Sequence, residues 1–81
     1  MTIEIVDFDF DPDTLTIPVG TIVEWVNNDS FAHTVVADDG SFESERIETG
    51  DRFSFTFEEA GTFPYICGIH PSMNAEIVVE N

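Results

Sequence analysis

Eighty-one residues bound the chain to one domain, 1–81, with a small core. Apolar residues make up 42% of it, enough for a packed interior, which sets disorder aside despite the charge. Seventeen acids against two arginines and no lysine give a formal net charge of −15, a surface that repels nucleic acid and anionic lipid and favours a basic partner or a screening salt.

The acids run along the whole chain, a pattern that suits adaptation to high salt better than a single docking patch. A single cysteine excludes an internal disulfide, so the compartment cannot be read from disulfide usage. No apolar run approaches the length of a membrane span, and no basic, apolar leader is present.

Short strands separated by turn signals account for the chain, and no helical period is sustained. Ile3 and Ile5 share one parity while Val6, Phe8 and Phe10 share the other. That change predicts a bulge or bend near Ile5-Val6. Asp11-Pro12-Asp13 is a turn. Leu15, Ile17 and Val19 then alternate with Thr14, Thr16 and Pro18, and Pro18 is best tolerated at an edge or strand end. Thr21 to Val26 is a third strand that puts Trp25 in the core. His33 to Ala37 is predicted as a fourth strand opening on the histidine, and Ser41 to Thr49 as a loop with a short strand around Phe42.

The cleanest alternation follows Gly50-Asp51. Phe53, Phe55 and Phe57 stand on one face and Arg52, Ser54 and Thr56 on the other, which reads as a sandwich core rather than a stacking platform. Phe63, Tyr65 and Cys67 share a parity on the next strand, and Ala75 to Val79 is the last. Seven or eight short strands without helices indicate an all-β, antiparallel Greek-key sandwich or barrel.

Chemistry concentrates in Cys67-Gly68-Ile69-His70-Pro71-Ser72-Met73, which sets a thiol, an imidazole and a thioether three residues apart. Thiolate and thioether suit copper, imidazole suits several metals, and one more imidazole completes a His2Cys site with a weak axial Met. The chain has one Cys, two His and two Met, one of them Met1, so His33, Cys67, His70 and Met73 account for every Cys, every His and the only internal Met. Taken singly, Cys67 also reads as a small buried apolar residue and Met73 as a gap filler. Zinc can fill the same ligands tetrahedrally, although a soft axial Met argues for copper.

With those residues in place, the chain resembles the small type 1 blue copper proteins, the cupredoxins of the plastocyanin/amicyanin group, with halocyanin-like acidity. Pro18-Val19-Gly20-Thr21, Trp25-Val26-Asn27, His33 before a β-branched strand, Gly61 to Cys67 and the closing strand Glu76 to Glu80 all carry the resemblance. Cys-x2-His-x2-Met is the short ligand loop of amicyanin. The resemblance implies His33, Cys67 and His70 as equatorial ligands of one copper ion and Met73 as the long axial one.

Two positions depart from the group. Thr34 stands where many members have an Asn that braces the ligand loop, and its backbone N–H is expected to reach the thiolate. Ile69 stands where amicyanin-like members often have Pro, so a backbone N–H is available there that Pro lacks, and an added hydrogen bond from it to the sulfur would raise the reduction potential.

The resemblance further implies one-electron transfer with copper cycling between Cu(II) and Cu(I), and redox protein partners docking on the apolar group Ile69, Pro71, Phe31 and Ala32 around His70. It implies a monomer outside the cytoplasm, in the periplasm or on the outer face of the membrane once a leader or anchor is removed. Copper carriage without redox duty is the alternative. Catalysis by copper oxidases or nitrite reductases needs histidines this chain does not have, and a dinuclear centre needs a second cysteine.

Overall fold

Alternating apolar residues become strands where the alternation is cleanest. In the computed structural model, which describes residues 1–81, the strands are β1 (Thr2–Val6), β2 (Asp9–Asp11), β3 (Thr14–Pro18) and β4 (Thr21–Asn27), then β5 (Val36–Ala37), β6 (Arg52–Phe57), β7 (Gly61–Ile66) and β8 (Asn74–Glu80). They form two four-stranded sheets, ordered β2-β1-β4-β6 and β3-β8-β7-β5, with no helix. Pro18 ends β3, an edge strand, where its missing N–H costs no ladder bond.

The sheets are mixed rather than wholly antiparallel: β1 pairs with β4, and β3 with β8, in parallel. The chain leaves the first sheet after β2, lays β3 into the second, and returns as β4 beside β1 in the same direction. Such a return is a crossover and not a hairpin, which is why the pairing is parallel.

Rings fill much of the interior. Trp25 is fully buried and meets Tyr65 edge-on at 5.6 Å and 87°, Phe53 at 5.6 Å and Phe42 at 5.8 Å. Phe10 closes on Tyr65 at 4.8 Å. Each such pair adds about 0.5–1.5 kcal/mol beyond the area it buries. The stripe on β6 therefore faces the core, as its alternation predicts. Burial pushes the Tyr65 phenol well above the usual tyrosine range, and the carboxylates of Asp13 and Asp9 add to that rise.

Two local expectations change. The parity break near Ile5-Val6 is a hairpin and not a bulge: Val6 pairs with Asp9 across a two-residue turn, Asp7-Phe8. Both turn residues have positive φ, 53° and 58°, the twist that two-residue hairpins require. Glycine or asparagine usually fills such positions, and a bulky residue there stores roughly 1–3 kcal/mol of strain.

The strand expected over His33–Ala37 shrinks to Val36–Ala37. His33 makes only an isolated bridge to Ile47, because the backbone donors after it turn to side chains. The Thr34 N–H points to Cys67 Sγ, and the Val35 N–H donates to Ser44 Oγ at 2.8 Å.

Candidate metal centre

The ligand loop starts where β7 ends and stops where β8 begins, so one sheet holds both of its ends. It also closes on itself. The Cys67 N–H donates to the Met73 carbonyl at 3.0 Å, and the Met73 N–H to the His70 carbonyl at 2.9 Å. Cys67 and Met73 are buried and His70 is half-buried. A side chain at Gly68 would crowd its neighbours: a Cβ there would stand 2.9 Å from Thr34 Oγ1 and 3.3 Å from Val36 Cγ2, so the Thr34 hydroxyl would have to shift. The Gly68 N–H donates to that same Thr34 Oγ1 at 2.8 Å, so the hydroxyl braces the loop. The Thr34 N–H lies 3.4 Å from Cys67 Sγ, as expected. The N–H available at Ile69 is not used in this way: Ile69 is exposed, and the backbone donor to the sulfur is Thr34.

His33 arrives from the other side of the same end. Its backbone exchanges bonds with Ile47, N–H to carbonyl at 3.0 Å and carbonyl from N–H at 2.7 Å. Asn27 supports that segment by donating through Nδ2 to the carbonyls of Phe31 and Ile47. Behind the ring, His33 Nε2 lies 2.9 Å from Asp29 Oδ2. An ionised carboxylate only accepts, so Nε2 carries the proton and Nδ1 presents its lone pair to the cluster. Asp29 is held below the ordinary carboxylate range by the Phe8 N–H first, then by His33 and the Ser30 N–H, against the opposing cost of burial.

His33 Nδ1, Cys67 Sγ and His70 Nδ1 form a triangle with sides of 3.3, 3.5 and 3.9 Å. A point equidistant from its corners lies about 2.1 Å from each, matching metal–imidazole bonds of about 2.0–2.1 Å and close to metal–thiolate bonds of about 2.3 Å. Two imidazoles, one sulfur and no carboxylate oxygen make a soft-to-borderline donor set, which fits copper. Met73 closes the loop at the same end.

Two residues that sequence reasoning left out stand beside the cluster. Phe8 packs edge-on against His70 at 5.1 Å and His33 at 5.8 Å, and tilted on Phe31 at 5.0 Å. Asp29 is the other. The signal for Asp29 is its place four residues before His33 in a turn-rich loop; for Phe8 it is the parity break itself. Phe8, Phe31 and Ile69 are all substantially exposed, so an apolar rim surrounds the half-buried His70.

The sequence profile of the cupredoxin-like domain family matches residues 1–79. The chain is similar to amicyanin of Paracoccus denitrificans, 29% identical over 85 residues, which take in 99% of this chain and 65% of that protein. It is similar to halocyanin of Natronomonas pharaonis, 39% identical over 80 residues, 90% of this chain and 49% of that protein. The chain thus spans about half to two thirds of the length of these relatives. Among solved structures, the purple cupredoxin from Nitrosopumilus maritimus is similar with a TM-score of 0.91 at 34% identity, covering 98% of each chain.

Proposed function

The chain belongs to the cupredoxin-like family, and from that membership we propose that residues 1–81 form one domain working as a one-electron carrier, its copper held by His33, Cys67, His70 and Met73. The observation that carries this reading is the triangle of two Nδ1 atoms and one Sγ, already at metal-binding size. When bound, the copper supplies a couple between Cu(II) and Cu(I). The protein supplies a cage that does not have to move: a loop closed by its own backbone bonds, a thiolate with one backbone donor, and a histidine fixed from behind. Fixed ligands keep the rearrangement between oxidation states small, which is what a carrier needs and what a chaperone that hands copper over does not. Similarity to amicyanin and halocyanin, small copper proteins of the resembled group, supports a carrier over an enzyme.

Redox protein partners would dock on the apolar rim of Phe8, Phe31, Ile69 and Pro71, with the half-buried His70 ring as the exit for the electron. His70 Nε2 makes no hydrogen bond within the chain, in contrast to His33. Both arginines are already paired, Arg46 with Glu48 and Arg52 with Glu24, and the chain as a whole carries a net charge of −15, which suits a partner with basic residues or a high-salt medium. No helix is long and apolar enough to cross a membrane. The extracytoplasmic placement implied by the resemblance goes with this reading, as does action as a monomer.

Cys67→Ser tests the assignment. The variant is expected to keep the β-sheet circular dichroism spectrum and to lose the intense visible band on adding Cu(II). A variant that remained blue would remove Cys67 from the site.

A further inference from the structure

One carboxylate oxygen serves two structures at once. Asp29 Oδ2 accepts from His33 Nε2–H at 2.9 Å and from the Phe8 N–H at 2.9 Å. The first bond fixes which nitrogen of His33 faces the cluster. The second holds the hairpin turn that carries Phe8 with φ at 58°, an unfavourable place for a bulky residue. The Phe8 ring in turn lies against both imidazoles. We infer that Asp29 is a positioning residue of the metal centre, acting on His33 directly and on the imidazole pair through Phe8, and that its negative charge favours the more highly charged Cu(II).

Asp29 is held at every polar atom it has. Its N–H donates to Asn27 Oδ1 at 2.8 Å, and its carbonyl accepts from Thr49 Oγ1 at 2.7 Å. Oδ1 accepts from the Ser30 N–H at 2.8 Å, and Oδ2 takes the two bonds above. A residue so constrained cannot swing away, so its charge stays on the axis of His33. It is also nearly buried and has no cation beside it, since both arginines are engaged elsewhere. The charge is therefore neutralised by no salt bridge to Arg, and the imidazole transmits it toward the ligand-facing Nδ1. A carboxylate in this relation raises the basicity of a ligating histidine and fixes its ring. This inference rests on the copper reading of the preceding section.

The test is Asp29→Asn, close to isosteric but neutral, studied with copper bound. The blue band is expected to persist, while Cu(II) affinity falls about 10–100-fold. Cu(I) affinity falls less, so the reduction potential rises, by about 59 mV for each tenfold change in the affinity ratio. Hydrogen exchange at the Phe8 amide is expected to speed up in both metal-free and copper-loaded protein. Asp29→Glu, which keeps the charge, should bring the potential part of the way back. If Asn prevents folding, the unaltered metal-free protein still decides: with no copper to impose a tautomer, long-range nitrogen–proton NMR is expected to find the His33 proton on Nε2, and a proton on Nδ1 would overturn the inference. A blue Asp29→Asn protein with the parent potential or parent Phe8 exchange would overturn it too, leaving the copper site standing. Colourless copper binding by the unaltered protein would instead remove the copper reading.

Discussion

Trp25, Phe42, Phe57 and Tyr65 fill one part of the interior with rings, and their side chains make no hydrogen bond. Asn27, Asp29, His33 and Ser44 occupy another part, beside the ligands, and are wired by little else. All the buried polar residues of the chain belong to this second group. The contrast shows a division of labour. Ring burial is non-directional, so the first region supplies stability and tolerates small shifts. Hydrogen bonds are directional, so the second region supplies geometry, and a lost partner there leaves a buried group unsatisfied.

Paired truncations separate the two roles. Trp25→Ala should cost about 3–5 kcal/mol in denaturant unfolding, by transfer and cavity. The copper spectrum of its folded fraction should match the parent, and an altered spectrum would show that the regions are not separable. Asn27→Ala should cost less, about 2–3 kcal/mol, because the Phe31 and Ile47 carbonyls and the Asp29 N–H lose their partner. Its spectrum, however, should change. A large loss of stability with an unaltered spectrum would refute the geometric role of the polar region.

The aromatic region carries its own pH signature. Because the Tyr65 pKa is raised on folding, the folded chain holds that proton more tightly. Stability from this source is complete below the unfolded value near pH 10 and declines as pH rises toward the folded value, by up to about 1.4 kcal/mol per unit. Tyr65 is the only tyrosine, so tyrosinate absorbance reports it alone. Tyr65→Phe should flatten the alkaline decline, and a phenol that titrates near pH 10 in folded protein would contradict the burial argument. The smallest effect on stability is expected at Met73→Leu, a volume-conserving swap costing less than about 1.5 kcal/mol. It should keep the copper and raise the reduction potential, since losing a weak donor disfavours Cu(II). A lowered potential would argue against Met73 as an axial ligand.

The same division explains what could be read in the sequence. Phe53-Ser54-Phe55-Thr56-Phe57 alternates with the period of a strand, and a strand is what it forms. The candidate ligands stand out by inventory, because a chain with so few His, Cys and Met has few ways to build a soft site, and the fold brings His33, Cys67 and His70 together. His33–Val35 was not legible as it folds: its backbone donors go to Cys67 and Ser44, residues distant in sequence, and a periodic pattern cannot register such bonds. The Asp7-Phe8 turn escaped for a related reason. Its φ values ask for Asn-Gly, and the restraint that keeps Phe8 there comes from Asp29, twenty-one positions away. Parallel pairing of β1 with β4 likewise depends on a crossover between sheets, which no single strand announces.

The most direct measurement is a titration of the metal-free protein with Cu(II), followed by visible absorption and electron paramagnetic resonance. The account predicts an intense thiolate-to-copper band and a narrow copper hyperfine splitting that saturate at one equivalent. Colourless binding, a broad hyperfine splitting or saturation at a different stoichiometry would contradict it.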